Sequence, residues 1–301
     1  MIILKKGNLL IEGKTKRVYE VVGKPNLVII ENKDDITKND DPTQTRKMKK
    51  KAELSTTITC INFEILKAAG IPVAYQKRIS ENEFLAKKCQ MISLEVIVRR
   101  YAVGSVLLRC PDFKLSGPIP FKFEQLSFEV FLKTTGGIIL SKEGKEIGKL
   151  VDQKSGKPID DPLIANPKSL NWIIKNPKTL FNDEASIIGI LPRENILPKK
   201  TSRVSIEKIE MIALKTFLVL EEAFILLNLR LIDFKIEFGI GPNGDLFVAD
   251  VIDNDSWRLR TSSWKELSKE LFRQNRDMKE IQESYELVAK KLEAAYPLRW
   301  Q

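Results

Sequence analysis

The sequence predicts an α+β fold with antiparallel sheets, and three patterns of residues indicate it. Two stretches, 45–69 and 204–228, repeat apolar residues at helical spacing. Short stretches in which apolar and polar residues alternate, as they do in strands, surround both. The two kinds of stretch do not follow each other one for one, as in a doubly wound parallel sheet. At 301 residues, the chain has room for one large domain or two lobes.

The first third of the chain predicts three short strands, a long helix and three further strands. The helix 45–69 has a stripe of leucine and isoleucine, and Gly70 stands where it ends. Pro72 then prevents its continuation. The predicted strands are 9–12, 17–22, 27–31, 73–80, 83–88 and 94–101.

The middle and the end of the chain predict fewer elements. Residues 110–170 are rich in proline, glycine and polar residues, with a peripheral hairpin expected at 138–140 and 149–151. The helix 204–228 carries one long apolar stripe. Ser-Trp-Lys-Glu at 263–266 fits a capping box and predicts a helix start. A closing helix is predicted from Ile281 to Leu292.

The most informative stretch, 229–258, predicts a hairpin of two strands with a polar tail. In the first strand, Asp233, Lys235 and Glu237 alternate with apolar residues, so the three charges share one face. An Asn-Gly pair follows and predicts a two-residue turn, because both turn positions need a positive φ. Counting outward from that turn, Glu237 faces Asp250 on the second strand.

Two carboxylates on opposed positions, roughly 5 Å apart, repel each other, so a further species is expected between them. A hard divalent cation with oxygen ligands is one solution. A shared proton, the nearby Lys235 or a plain solvated charged face are the alternatives. A bulge, or the proline in the turn, would shift the register.

The composition excludes several kinds of active site and indicates the classes of ligand that the protein can bind. The chain has no histidine, which excludes Ser-His and Cys-His nucleophiles, histidine-bound zinc and histidine as a general base. The net charge of +10 suits nucleic acid or small phosphorylated and carboxylated substrates. No apolar run approaches the ~20 residues of a membrane span. Three widely spaced cysteines and an N-terminus without the layout of a signal peptide favour a cytoplasmic protein.

Two stretches resemble phosphate-binding motifs, but each lacks a feature that the motif requires. Residues 239–244 match G-x-G-x-x-G, but a strand follows where a dinucleotide site needs a helix. Gly13-Lys14-Thr15 resembles the end of a Walker A loop whose first glycine is missing. The segments 12–16 and 99–105 still carry glycine with lysines or arginines, which suits phosphate. An ordinary lysine-bearing hairpin and a surface arginine pair are the alternatives.

Eight segments, taken in order along the chain, carry a resemblance to one family. They include E-G-K-T-K-R-V-Y-E at 12–20, D-F-K-I-E-F-G at 233–239 and A-D-V-I-D-N-D-S-W-R-L at 249–259. The others are 34–37, 70–72, 94–105, 132–133 and 161–162. Together they resemble the SAICAR synthetases (phosphoribosylaminoimidazole-succinocarboxamide synthases) of purine biosynthesis.

The resemblance implies a two-lobed fold and an activity. An N-terminal lobe, 1–93, would cradle ATP, a larger lobe, 94–301, would hold the metal and the nucleotide substrate, and an ATP-grasp-like cleft would lie between them. The implied reaction joins L-aspartate to carboxyaminoimidazole ribonucleotide (CAIR). ATP is consumed through an acyl phosphate, and SAICAR, ADP and phosphate are released.

The resemblance also implies roles for individual residues. ATP would be bound by Gly13, Lys14, Lys16, Lys88 and Met91. Mg²⁺ would be held by Glu237 and Asp250. The catalytic groups would be Lys133, Lys235 and Asp233, with Lys133 neutralising charge on the transferred phosphoryl group. The substrates would be bound by Arg99, Ser105, Asp161, Asp253, Asp255, Arg258 and Arg273.

Some features depart from the family, and two other functions stay open. Short bacterial members often carry a second acid where Val251 stands here, so the metal shell is expected to differ. Residues 134–160 are an insertion without an assigned role. A kinase of a small phosphorylated metabolite would share the ATP and Mg²⁺ cleft but not need aspartate. A basic RNA-binding module would show salt-sensitive RNA binding without an effect of ATP. No nucleic-acid or membrane partner is expected, and a homo-oligomer is left open.

Overall fold

The computed structural model describes residues 4–38, 42–152, 155–198 and 203–298, in which the predicted α+β fold with antiparallel sheets is confirmed. The strands are β1 Lys6–Glu12, β2 Lys16–Val21, β3 Leu27–Asn32, β4 Asp35–Thr37, β5 Thr45–Lys47, β6 Tyr75–Arg78, β7 Glu83–Lys87, β8 Gln90–Met91, β9 Leu94–Tyr101, β10 Lys122–Leu132, β11 Ile138–Leu140, β12 Glu146–Lys149, β13 Leu163–Ile164, β14 Asn171–Lys175, β15 Ile187–Pro192, β16 Leu229–Ile240, β17 Leu246–Ala249 and β18 Trp257–Thr261. The helices are α1 Lys51–Ala68, α2 Val106–Arg109, α3 Ile206–Leu226, α4 Glu270–Arg273 and α5 Met278–Ala295.

Two larger sheets dominate the described part of the chain. The first has the order β1-β2-β3-β7-β6 and is built from the N-terminal third of the sequence. The second has the order β15-β14-β13-β10-β9-β16-β17, with β18 and β8 also paired to β16. The small pairs β4-β5 and β11-β12 lie outside both.

The long strand β16 is the centre of the second sheet. Its first half lies between β9 and β18, and its second half lies between β8 and β17. Because side chains alternate across a strand, the acids and lysine of β16 share the face to which alternate residues of β9 and β18 also point. This arrangement brings distant parts of the chain to one polar face.

The helices cover the other side and close the core. α3 packs on β9, β10 and β16, and α1 packs against α3, α5 and the first sheet. Ser205 caps α3 by accepting a hydrogen bond from the Lys208 amide, 3.2 Å away. The start of α1 is instead capped by a residue outside the helix. The Asp34 carboxylate accepts a hydrogen bond from the Ala52 amide at 2.9 Å. One hydrophobic core joins residues of both sheets and of α1, α3 and α5.

Several predicted elements differ from the structure. The first helix begins at Lys51, because β5 occupies residues 45–47. The strand 73–80 is confined to β6, and the second hairpin strand ends at Ala249. The peripheral hairpin exists, with its second strand at β12. The capping-box prediction at 263–266 is wrong, because Trp264 has a φ of 69° in a turn and no helix begins there.

The largest omission lies in residues 110–170. They were expected to hold little regular structure beyond a hairpin, yet β10 spans 11 residues and β13 follows it. β10 lies directly beside β9 and contributes to the polar face. None of the helices in the described ranges is long and apolar enough to cross a membrane.

Candidate active site on the face of the second sheet

The hairpin of β16 and β17 has a different register from the predicted one. Glu237 is paired with Ala249, and the Gly241 amide donates to the Asp245 carbonyl at 2.9 Å. The turn therefore contains three residues, with Gly244 at a φ of 78°. A type I turn followed by a left-handed glycine is the usual three-residue solution, and an Asn-Gly pair suits it as well. The predicted pairing of Glu237 with Asp250 is thus wrong by one position.

Lysines nevertheless connect the two carboxylates. Asp250 follows β17 and has a φ of 67°, a left-handed conformation that re-aims its side chain at the strand end. Lys16 of β2 forms an ion pair with Asp250, and its charge also interacts with Glu237. Lys133, just after β10, donates to both oxygens of Glu237 at 2.6 Å. Repulsion between the two carboxylates is therefore relieved by lysine ammonium groups, and Lys16 and Lys133 contribute to this as well as Lys235.

Lys235 is the third lysine of this cluster. Its ammonium lies 2.5 Å from Glu95 of β9 and 3.8 Å from Glu237. Burial disfavours its charge, but Glu95 and Glu237 more than offset that and raise the pKa of Lys235 above its ordinary value. Burial likewise opposes the ionised form of Glu237, but Lys133, Lys235 and Lys16 hold the pKa of its carboxyl below the usual range.

Lys16 has the opposite shift. Burial is the largest cause, and the neighbouring Lys133 and Lys235 add to it, against the attraction of Glu237 and Asp253. The pKa of Lys16 falls to about 8. The charge of Lys16 therefore changes near physiological pH, whereas Lys235 stays charged there.

A second set of charges forms a chain across the same sheet face. Arg99 of β9 is 2% exposed, donates to Glu129 of β10 at 2.8 Å and forms an ion pair with Asp233 of β16. Asp233 in turn accepts a hydrogen bond from Arg258 of β18 at 2.7 Å. Acidic and basic groups therefore alternate from strand to strand. This chain contains three predicted site residues and one, Glu129, that the sequence had not indicated.

The chain of charges continues beyond Arg258. Its guanidinium donates to Glu270 at 3.3 Å, and Arg273 donates to the same carboxylate at 3.2 Å. The charge of Asp233 is the main cause that raises the pKa of Arg258. Gly104 has a φ of 67°, and a Cβ there would lie 2.6 Å from an Arg258 nitrogen, so only glycine lets the guanidinium rest against this loop.

The predicted ATP-binding residues lie on two segments next to the lysine cluster. Gly13 and Lys14 form the turn between β1 and β2, where the Gly13 amide donates to the Lys16 carbonyl at 2.9 Å. Lys88 and Met91 lie around β8 and are exposed. The Met91 sulfur lies over Gly239, two residues from Glu237 on the same face of β16. The nucleotide cleft and its contacts remain predictions.

The three remaining predicted acids have different surroundings. Asp161, at a φ of 47°, accepts a hydrogen bond from the Thr134 amide at 3.1 Å and adds to the field around Lys235. Asp253 is buried, and burial together with the charge of Asp255 raises the pKa of its carboxyl.

Asp255 points away from the lysine cluster. It accepts a hydrogen bond from the Tyr285 hydroxyl at 2.6 Å and lies 3.2 Å from Lys51 and 3.6 Å from Lys269. Burial opposes its ionised form, but Lys269 and Lys51 hold its pKa below the ordinary range. These contacts tie its loop to α1 and α5.

The residues that sequence reasoning missed are Glu95, Glu129, Arg109 and Glu270. Glu95 carried a visible signal, because it alternates with buried apolar residues along β9 just as Arg99 does. Glu129 had the same signal within β10, a strand that was not predicted. Nothing local marks Arg109 or Glu270 as part of the site, since Glu129 and Arg258, which connect them to the charged chain, lie 20 and 12 residues away in sequence.

A cavity of about 610 Å³ lies beside the hairpin turn. Its lining includes Ile92, Ile196 and Ile240, with Met91 from the predicted site. Ile240 lies on the opposite face of β16 from Glu237, because strand side chains alternate. The cluster of Lys16, Lys133, Lys235, Glu237 and Asp250 does not line this cavity, so we do not assign the chemistry to it.

The fold and this face define the chain as an α+β protein whose lysines, arginines and carboxylates form a charged site across the strands of one antiparallel sheet. It belongs to the SAICAR synthetase family, whose sequence model matches residues 9–142 and 179–292. The gap between the matched segments overlaps the predicted insertion 134–160.

Individual relatives agree with this membership. The chain is 32% identical over 277 residues to the probable multifunctional protein ADE2 of Caenorhabditis elegans, covering 91% of this chain and 54% of that protein. The chain spans about half the length of that protein and of the bifunctional phosphoribosylaminoimidazole carboxylase/phosphoribosylaminoimidazole succinocarboxamide synthetases of Drosophila melanogaster and Homo sapiens.

Solved structures match over nearly the full length. Phosphoribosylaminoimidazole-succinocarboxamide synthase from Ehrlichia chaffeensis has a TM-score of 0.68 at 25% identity, covering 95% of this chain and 99% of that one. A SAICAR synthetase in complex with ADP has a TM-score of 0.66 at 25% identity, covering 96% and 99%.

Proposed function

We propose that the protein is an ATP-dependent ligase that joins L-aspartate to CAIR and releases SAICAR, ADP and phosphate. The observation that carries the proposal is one continuous charged face on which the Lys16–Lys133–Glu237–Asp250 cluster adjoins the Arg99–Asp233–Arg258 chain. Family membership supports ATP as the ligand that we propose for the first of these clusters and CAIR as the ligand for the second. Both substrates and ATP are anions, and a basic cleft attracts them.

The proposed reaction has two steps. A carboxylate oxygen of CAIR attacks the γ-phosphorus of ATP, the bond to the bridging oxygen breaks, and ADP leaves with that electron pair. The amine of aspartate then attacks the acyl carbon, and the carbon–oxygen bond to phosphate breaks. The amine gives up a proton, and phosphate is released. Neither step needs a histidine, since phosphoryl transfer depends mainly on positioning and charge neutralisation.

The lysine cluster supplies that neutralisation. Lys14 and Lys16, at the turn and start of β2, would bind the phosphates of ATP. Lys133 is well exposed beside Glu237, so its ammonium can reach the transferred phosphoryl group. Lys235, held by Glu95, would stay charged and orient Glu237. Lys16, Lys133 and Lys235 already lie beside carboxylates, so anion binding by these three requires only a change of partner.

Glu237 and Asp250 suit Mg²⁺, which typically takes one or two protein carboxylates and completes its shell with phosphate oxygens and water. Both acids interact with Lys16, which places them around one position. The described ranges contain no group of three or more acids, cysteines or histidines placed to hold a metal, so phosphate would have to complete the shell. When bound, the ion would neutralise and orient the phosphates of ATP.

The arginine chain would bind the nucleotide substrate. Arg258 is partly exposed and rests on Gly104, next to the Ser105 hydroxyl, so these two groups can hold a phosphate together. Arg99 is buried and paired with Glu129 and Asp233, so it would support the substrate site by holding these two carboxylates in place. Arg273, Asp161, Asp253 and Asp255 would complete the substrate contacts.

The test is an assay of ADP release with CAIR, aspartate, ATP and magnesium, with each omitted in turn. The ligase requires all four. ADP release that needs the ribonucleotide but not aspartate would instead identify the small-metabolite kinase. The lysine and carboxylate cluster by itself suits both reactions, so aspartate dependence is the deciding readout.

We also infer a cytoplasmic location. Cys60, Cys89 and Cys110 are all free thiols, which agrees with a reducing compartment. Fractionation of the source cells with an antibody against the protein would test this inference.

A further inference from the structure

We propose that Arg109 is a positioning residue, which fixes the Ser105 hydroxyl as a hydrogen-bond donor to the phosphate of the nucleotide substrate. The inference rests on the proposed function, and it adds a residue to the site. Arg109 is the last residue of α2, and it is only 3% exposed. Its side chain lies beneath the Gly104-Ser105 loop, so it acts through another group and does not reach the ligand.

Arg109 is held from three sides. Its Nη1 donates to the Ser105 Oγ at 3.1 Å, and its Nη2 donates to Glu129. The ring of Phe131 lies 5.4 Å from the centre of the guanidinium, within the range of a cation–π contact. A side chain fixed in this way can set the direction of a mobile hydroxyl.

The direction follows from the chemistry of the two groups. Arginine has donors only, so the Ser105 oxygen must accept the hydrogen bond between them. The hydroxyl hydrogen is then left to donate elsewhere, and the exposed side of the loop is where a phosphate oxygen would lie. Without Arg109, the carboxylate of Glu129 beneath the loop offers an acceptor that would turn the hydroxyl inward.

Glu129 extends this support to the other phosphate-binding group. Its two oxygens bind two arginines, Oε1 facing Arg109 and Oε2 facing Arg99. Arg99 is paired with Asp233, and Asp233 with Arg258. Ser105 and Arg258 are therefore fixed relative to each other through four buried or half-buried charges, and Arg109 is one end of that series.

The experiment is a double-mutant cycle of Ser105→Ala and Arg109→Gln, with KM for CAIR and kcat measured separately. We expect each single variant to raise KM by about tenfold to a hundredfold, the usual effect of a lost charge-assisted hydrogen bond. The double variant should be no worse than the single ones, because both changes remove the same hydrogen bond to substrate. Arg109→Lys, which keeps the charge, should recover part of the affinity.

Effects of the two changes that multiply would overturn the proposal, as would an unchanged KM in Arg109→Gln. The matched control is Arg100→Gln. Arg100 is the next residue after Arg99 on β9, and it makes a two-pronged pair with Glu221 of α3 at 2.7 Å on the opposite face. Arg100→Gln should lower the melting temperature without changing KM, and this separates loss of stability from loss of positioning.

A binding measurement separates this proposal from the proposed function. Ribose 5-phosphate is a simple phosphate monoester, and its calorimetric titration needs no turnover. Wild-type protein should bind it more tightly than Ser105→Ala or Arg109→Gln, and ribose itself should show no difference. If CAIR is not turned over but this pattern holds, the proposed function fails and the role of Arg109 stands. Equal binding by all three proteins would overturn the role of Arg109.

Discussion

Asp250 has a left-handed backbone conformation, at a φ of 67°, where residues other than glycine are uncommon. Asparagine tolerates that conformation about as well as aspartate, so Asp250→Asn removes the charge, and with it the ion pair to Lys16, without straining the backbone. We expect kcat to fall by roughly a hundredfold or more, since the proposed magnesium site loses one of two charged ligands. The melting temperature should change little.

Asp245→Asn is the control for that prediction. Asp245 lies at the exposed turn of the same hairpin and contacts none of the site lysines. Its variant should keep normal turnover. Normal magnesium-dependent turnover by Asp250→Asn would show that the metal assignment is wrong.

Lys16 gives the site a predicted pH dependence. Burial lowers the pKa of Lys16 to about 8, so the free enzyme loses this positive charge as pH rises through that value. An anion that needs the charge should bind about tenfold more weakly at pH 9 than at pH 7. Lys16→Arg keeps its charge throughout, so KM for ATP should then vary little over the same range. Parallel pH profiles of the two enzymes would exclude Lys16 as the titrating group.

At the scale of single residues, the sequence indicates the site residues that alternate on a predicted strand. Asp233, Lys235 and Glu237 lie on one face of β16 as expected. Partners that come from elsewhere were not predictable, because nothing in 106–109 shows that Arg109 will meet Glu129, 20 residues away. A polar group is identified by its pattern, but its partner depends on the tertiary fold.

At the scale of elements, the long helices α3 and α5 were predicted well, because an apolar stripe of period 3.6 is recognisable over five turns. α3 and α5 lie within two or three residues of their expected limits. β10 was missed because prolines and glycines on both sides masked the alternation of Leu126, Phe128 and Val130 with polar residues. The hairpin register was missed for another reason: an Asn-Gly pair suits both two- and three-residue turns.

The pairing of β8 with β16 leads to a prediction about Gly239. A Cβ at this position would lie 2.6 Å from the Cβ of Cys89 and 3.2 Å from the sulfur of Met91. Gly239→Ala should therefore displace the segment 88–91, in which Lys88 and Met91 are expected to bind ATP, and raise KM for ATP. The free energy of unfolding should fall by about 1–3 kcal/mol, as for an overpacked core.

The control for this change is Gly189→Ala on β15. Its Cβ would meet only a methyl group of Leu150 at 4.0 Å, an ordinary contact. This variant should match wild type in stability and in KM for ATP. A Gly239→Ala protein with lowered stability but unchanged KM for ATP would remove β8 from the nucleotide site.

At the scale of the whole molecule, one continuous hydrophobic core crosses the predicted boundary between the lobes at residue 93. Ile58 of α1 and Phe84 of β7 belong to the same hydrophobic cluster as Phe238 of β16 and Val288 of α5. Two lobes that share a core lose it together, so we expect one cooperative unfolding transition. The division itself remains a proposal about how the cleft is assembled.

The contact of Asp255 with Tyr285 tests this cooperativity, because Asp255 joins α5 to Lys51 at the start of α1. Tyr285→Phe leaves that half-buried carboxylate with one donor fewer, so the free energy of unfolding should fall by about 1–3 kcal/mol. Tryptophan fluorescence and far-UV circular dichroism should still report one shared midpoint. Tyr296→Phe, near the end of α5, is the matched control and should change stability less. Two separate midpoints in Tyr285→Phe would show that the two parts unfold independently, and that Asp255 is what couples them.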